Sequence, residues 1–548
     1  MTHAYQWLAW MVTVLATAWT GAVHAQGPAT TARDGIWATA PEYENFHVVV
    51  SVDASESELD AAADFCQLWK KSTRHDIEFD NTASGRINVW MGMKHLPDDL
   101  ASQLEGETPG GDLCLIKTYV PPPRYAARGA TKQLILAGDG ELLRLTVRAF
   151  FRETLGVTWA APGVTSHPRA GYAIPMMSAR VRPAFTLREV DPRLYGAEEA
   201  EADQVRDFRA GVGLPRDPLP VPPAPLAPSV TTGTGDGSGK AAWGSPEAAV
   251  LLADRIFVLA GQTESSSLYQ WPPGRGDWSL SRLQPDFAWP ATAGDAMGDV
   301  ADLLVKTACD TARLLEQRSL PEPWRIRVEL PEGVTGVELP PDAPVHRLVL
   351  QLVPTHLDFF RDLYDRTAGA NSRFRGDLKA WRNAGIRVHV VLPLAGRAHP
   401  ASLFPVFKAL GPTMMALHEE GVEGVYLGYP WGGISGKAPV LGSLRAYLAA
   451  LLAFDCGLDP EILSRRFCVA YYGETAGGAV LEGIRLAEDA FRATGQPLAL
   501  DDDGSWLTTA TRQAIQERLA WARAKTGDLE APRLDQLMQR VRAGGEME

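Results

Sequence analysis

Apolar and polar positions follow two patterns along the chain. Between about Gly35 and Met177, short β-rich runs alternate with segments at Glu56 to Ser72 and Glu141 to Leu155 whose apolar residues recur at helical spacing. The β-rich runs are HVVVSV (47–52), INVWMG (87–92) and QLILAG (133–138), and the alternation predicts a small α/β domain over residues 35–178. From Pro183 the runs become almost wholly apolar: RIRVEL (325–330), RLVLQLV (347–353), IRVHVVLPL (386–394) and GVEGVYLG (421–428). Continuous apolar strands separated by amphipathic helices predict a parallel sheet covered on both faces, as in a (β/α) barrel.

AFTLREV (184–190) and SSSLYQW (265–271) bring the expected barrel strands to six, whereas a complete barrel has eight. The missing part falls in one place. Residues 206–243 include GLPRDPLPVPPAPLAPSVTTGTGDGSGKAAW, Pro-rich and then Gly/Ser/Thr-rich, a composition that builds no packed core. The expected second and third strands are replaced by this insert, so residues 183–440 read as an incomplete or distorted TIM-like barrel. Residues 441–548 read as a helical C-terminal region, with apolar residues at helical spacing in 443–455, 459–473, 475–494 and 508–542.

The 548-residue chain is 45% hydrophobic and 22% charged, ordinary for two or three globular domains. Its net charge of −13 and lack of a basic stripe argue against a nucleic-acid partner, which requires clustered Lys and Arg. Residues 1–25 read as a signal peptide: an apolar run from Trp7 to Val23 precedes a small-residue cleavage site at Val23-His24-Ala25. The protein is therefore expected to be exported, to the periplasm or beyond the cell. The alternative is a membrane-anchored N-terminus, and no later segment is apolar enough to span a bilayer. The cysteines, Cys66, Cys114, Cys309, Cys456 and Cys468, form no CxxC or Cys/His cluster and read as free thiols.

Cofactor and nucleophile motifs are missing. GTGDGSG (233–239) has no strand before it and no Lys-Ser or Lys-Thr after it, which argues against phosphate binding. There is no GxSxG elbow, and His346, His356, His389 and His399 lack metal-ligand spacing. No metal and no cofactor are expected, and His389 reads as a core histidine.

FFRETLGVTWAAPG (150–163) followed by RPAFTLRE (182–189) resembles the end of the small α/β domain that precedes the barrel in β-hexosaminidases and α-glucuronidases. FRGDLKAW (374–381), EEGVEGVYLG (419–428), LRAYLAALLAFD (444–455) and FCVAYYG (467–473) resemble a bacterial domain-of-unknown-function family of glycosidase-like proteins. The resemblance implies a carbohydrate partner and a barrel whose acids sit at C-terminal strand ends.

Glycoside hydrolysis uses two carboxylates across the scissile bond, and in a barrel they occupy C-terminal strand ends or the loops that follow. By that filter the candidate catalytic acids are Glu189, Asp191, Asp277 and Asp358, with Glu329 set back by strand alternation. In the resembling family the strand GVYLGYPWGG is expected to end near an acid or amide, but here it reads Leu427, Gly428, Tyr429. Flat aromatic surfaces stack on sugar rings. Trp271, Trp278, Tyr429 and Trp431, with His356 and Arg188, are therefore the candidate substrate-binding residues; Trp289 lies in the same loop region. Two readings stand: a glycoside hydrolase acting on polysaccharide or glycoconjugate through a carboxylate pair, and a catalytically silent relative that binds glycans.

Overall fold

The computed structural model describes residues 35–83, 87–94, 96–104, 113–120, 132–168, 173–196, 200–215, 230–231, 241–242, 246–261, 278–279, 295–318, 325–331, 339, 342–354, 356–396, 403–428, 439–502 and 504–543.

The first sheet contains β1 (Phe46–Val49), β2 (Phe79–Asp80), β3 (Ile87–Met91), β4 (Cys114–Tyr119), β5 (Lys132–Ala137) and β6 (Ser178–Val181), in the order β6-β4-β5-β3-β1-β2. The strands β5, β3, β1 and β2 run parallel, while β4 is antiparallel to both its neighbours. Two helices pack against each other on this sheet, α1 (Glu56–Thr73) and α2 (Glu141–Thr154). Helix α1 starts in a capping box, in which the Glu58 carboxylate accepts from the Ser55 backbone N–H at 2.7 Å. Beneath the helices Trp69 stacks against Phe65 at 5.6 Å and meets Phe46 at 4.1 Å.

The second sheet is all parallel. It contains β7 (Leu187–Val190), β8 (Trp278–Ser279), β9 (Ile326–Pro331), β10 (Leu348–Val353), β11 (Arg387–Pro393) and β12 (Gly424–Gly428), in the order β7-β12-β11-β10-β9-β8. First strand beside last is the order of a barrel. Among the described residues no ladder joins β7 to β8. In that interval of sequence two short strands, Val230–Thr231 and Ala241–Ala242, pair in parallel with each other. The strand expected at 265–271 lies outside the described residues.

Five of the expected runs are strands within a few residues of their boundaries because one face of each is apolar and covered. Val328, Leu330, Leu350, Leu352, Val388, Val390, Leu392, Val425 and Leu427 are all buried. The other face is buried too but polar. Gln351 pairs with His389, His389 with Gly424, and Glu189 with Tyr426, while Arg327 shares the Gln351 face and donates to its side-chain carbonyl at 2.6 Å. Gly424 makes room for the imidazole, since a Cβ there would lie 2.7 Å from His389 Nδ1. Burial among Arg327, Arg325 and Arg387 holds the His389 pKa well below the ordinary histidine value, with desolvation the larger cause, so the ring is neutral.

Helices α3 (Ala202–Gly211), α4 (Pro246–Gly261), α5 (Asp295–Gln317), α6 (Gly369–Asn383) and α7 (Phe407–Glu419) intersperse these strands. The chain ends in α8 (Gly442–Phe454), α9 (Pro460–Tyr472), α10 (Glu474–Thr494), α11 (Thr509–Arg523) and α12 (Ala531–Ala543). The helical spacing over 508–542 is therefore two helices, parted by a turn holding Gly527 and Asp528. Arg148 of α2 joins the two halves: buried, it grips Asp64 of α1 through two bonds of 2.9 and 2.8 Å and reaches Asp207 of α3 at 2.6 Å.

All five cysteines are free thiols, four of them buried and Cys66 half-buried. Among the described residues no helix is long and apolar enough to cross a membrane, and no group of three or more His, Cys, Asp or Glu is gathered to hold a metal.

Candidate functional site

Beyond the carboxyl end of β7 the chain turns at once into a short 3-10 helix, Pro192–Tyr195, because the Asp191 carboxylate accepts from the Arg193 backbone N–H at 3.0 Å and caps it. The same carboxylate pairs with the Arg193 guanidinium, at 2.9 and 3.1 Å from Nε and 2.5 Å from Nη2. Asp191, Arg193 and Tyr195 line a cavity of about 480 Å3. Its other walls come from the start of α8, the end of α9 at Tyr471 and Tyr472, and Arg533 and Arg540 of α12. A volume of that order holds a saccharide unit or two by the usual size of ligand pockets, about 300–1,000 Å3.

Behind the cavity lies a second charged pair. Glu189 accepts two bonds from Arg209, at 2.8 and 3.0 Å, and Arg209 also donates to the Tyr195 hydroxyl at 3.0 Å and the Pro215 carbonyl at 2.8 Å. Arg209 is fully buried and Glu189 nearly so. The carboxylate keeps the Arg209 guanidinium more firmly protonated than burial alone would, and burial pushes the Tyr195 hydroxyl pKa up. Both Glu189 carboxylate oxygens thus face Arg209, and Glu189 does not line the cavity.

The remaining candidates are placed elsewhere. Arg188, expected to bind substrate, alternates to the opposite face from Glu189: it donates to the Phe185 carbonyl at 2.5 Å and the Gly213 carbonyl at 3.2 Å, and its guanidinium lies 5.6 Å from the Phe454 ring. Asp358, expected to be catalytic, is buried and serves as a tether. Its Oδ1 accepts from the Phe360 and Leu498 backbone amides at 3.1 Å each, and its Oδ2 lies 3.2 Å from Arg361. His356 is exposed in the same loop. Trp278 opens β8, paired with Ile326, and Glu329 pairs with Gln351 in β9. Asp277, Trp271, Trp289, Tyr429 and Trp431 lie outside the described residues, and in sequence Asp277 immediately precedes β8.

Sequence reasoning missed the aromatic and cationic walls. Phe467 stacks on Tyr471 with centroids 5.1 Å apart and planes 15° apart, and Tyr472 meets Tyr471 edge-on at 4.9 Å. Burial pushes the Tyr472 hydroxyl pKa well up, so it stays protonated. The cues were available: two adjacent tyrosines close α9, and Arg533 and Arg540 stand seven residues apart on one face of α12.

Residues 338–482 match the model of a domain of unknown function, DUF4838. No curated protein matches the sequence. Among solved structures the chain is similar to BtGH115A, a family GH115 4-O-methyl-α-glucuronidase with specificity for decorated arabinogalactans. The identity is 12% and the TM-score 0.52, over 94% of this chain and 73% of that one. Two weaker likenesses have a TM-score of 0.41: a GH138 enzyme targeting pectin rhamnogalacturonan II, at 8% identity over 91% of this chain and 85% of that one; and the Streptomyces plicatus N-acetyl-β-hexosaminidase, at 12% identity over 83% and 95%. At a TM-score of 0.52 over 94% of this chain, the first likeness shows a common fold. Residues 338–482 thus resemble the DUF4838 domain, and the chain has a glycoside hydrolase-like fold.

Proposed function

We propose that this protein recognises carbohydrate in the cavity beside Asp191, as an exported glycoside hydrolase-like protein that binds saccharide without cleaving it. The observation that carries this reading is the state of the acids. Hydrolysis needs two carboxyl groups about 5 to 9.5 Å apart across a bound sugar, but of the described candidates only Asp191 lines the cavity. Glu189 is clamped by Arg209, and Asp358 is spent on backbone amides. The cavity nonetheless has polar groups that sugar binding uses: the Asp191 carboxylate and arginine guanidinium groups for hydroxyls, beside the Tyr471 side chain.

Because the GH115 neighbour has specificity for decorated arabinogalactans, polysaccharide or glycoconjugate is the ligand class to try first. The leader-like residues 1–25 support a site of action outside the cytoplasm. The test is to incubate the purified protein with plant, algal and bacterial polysaccharides and measure retention and reducing-sugar release in the same samples. Retention without release is expected. Release abolished by Asp191→Asn or Asp277→Asn would instead establish a hydrolase working through a carboxylate pair.

A further inference from the structure

Three arginines and one carboxylate, that of Asp191, are among the described residues lining the cavity. Arg193 is occupied by Asp191, but Arg533 and Arg540 line the same space. Arg533 makes no ion pair among the described residues. One of its Nη1 hydrogens goes to the Tyr471 carbonyl at 2.8 Å, and its guanidinium sits 4.8 Å from the Tyr471 ring centroid. The acid on its own helix, Asp535, is taken by Arg523 at 2.7 Å. Arg540 donates to the Pro439 carbonyl at 3.2 Å, at the rim of the same cavity.

A guanidinium carries five N–H donors, and the Tyr471 carbonyl uses one of Arg533's. Packing against the ring fixes the plane of the remaining donors in advance, which lowers the entropy cost of a forked bond to a carboxylate or sulfate. Neutral sugar hydroxyls do not need this arrangement, because uncharged donors and acceptors serve them equally well. An anionic substituent does need it, since a half-buried guanidinium with no carboxylate on it among the described residues gains most from an opposite charge.

We infer that the cavity takes a saccharide bearing an anionic group, a carboxylate or a sulfate, with Arg533, held on the Tyr471 ring, reading the charge. The inference rests on the saccharide reading above and narrows it to charged saccharides.

The experiment measures equilibrium binding of three oligosaccharide series of matched length by titration calorimetry: oligogalacturonates, sulfated galactan oligomers and neutral arabino-oligosaccharides. The wild-type chain, Arg533→Gln and Arg533→Lys are compared, and a melting curve for each separates lost recognition from lost folding. One acidic series is expected to bind about tenfold or more tighter than the neutral one, with affinity falling as salt rises. Arg533→Gln should erase that preference, and Arg533→Lys should keep only part of it, having charge without the planar fork. If Arg533→Gln does not fold, Arg540→Gln and the wild-type salt dependence decide. Whichever acidic series binds identifies the anionic group. Equal binding of acidic and neutral series, or a preference untouched by Arg533→Gln, overturns the inference while saccharide recognition stands. Binding of none of the three overturns both.

Discussion

The backbone of Gly428 lies directly against the side chain of Asp191. A Cβ at Gly428 would overlap the Asp191 Cβ and stand 3.3 Å from its Cγ, and Gly428 has a φ of +157° that side chains rarely adopt. The Asp191 N–H donates to the Leu427 carbonyl at 2.9 Å, so the last residues of two neighbouring strands fix one another. The position expected to carry an acid or amide instead carries the absence of a side chain, and that absence lets the acid of the next strand reach the cavity.

Gly428→Ala should therefore displace Asp191. Overpacking of this kind costs about 1–3 kcal/mol, to be read from urea unfolding. Saccharide binding should fall as far as it does in Asp191→Ala. A variant with intact stability and binding would show that the contact relaxes freely.

Glu189→Gln should destabilise the fold by about 3–5 kcal/mol, because it leaves Arg209 charged, buried and without its counter-ion. Replacing both, as Glu189→Leu with Arg209→Met, should recover much of the loss. Denaturant titration of the two single variants and the double variant measures the coupling. If Glu189→Gln is as stable as wild type, the pair has more access to water than its burial indicates.

Acid should weaken the fold through His389. Its folded pKa lies well below the ordinary value of 6.5, so the unfolded chain takes up a proton that the native ring refuses. The stabilising contribution is present in full above pH 6.5 and is lost progressively as pH falls below it. The half-buried His167, lowered first by desolvation and then by Lys71, acts in the same direction. Unfolding free energies between pH 7.5 and 5 should slope downward toward acid, and the slope should shrink in His389→Gln. An unchanged slope would mean that other groups carry it.

Asp358→Ala should cost about 1–3 kcal/mol by freeing the Leu498 and Phe360 amides and Arg361. Saccharide binding beside Asp191 should be unaffected. A loss of binding in a well-folded Asp358→Ala would return Asp358 to the site.

Sequence legibility followed local physics. The runs at 325–330, 347–353, 386–394 and 421–428 were readable because one face of each is unbroken Val, Leu and Ile. The polar inner face of Arg327, Gln351 and His389 was hidden inside those runs, one residue per strand. Asp191 was found because strand ends are informative on their own. Tyr471, Arg533 and Arg540 were not, since they reach the cavity from helices hundreds of residues later in the chain, whose apolar spacing reads only as packing. Asp358 passed the strand-end filter yet serves as a tether, because a loop that must hold the Leu498 segment needs the same kind of residue as an active site.

The most direct measurement is calorimetric titration of a bound oligosaccharide into the wild-type chain, Asp191→Asn and Tyr471→Ala, each first shown to melt like wild type. Saccharide recognition at this cavity requires measurable binding by the wild type and a loss of about tenfold or more in both variants. Undiminished binding by both variants, or no binding by the wild type to any oligosaccharide, would contradict it.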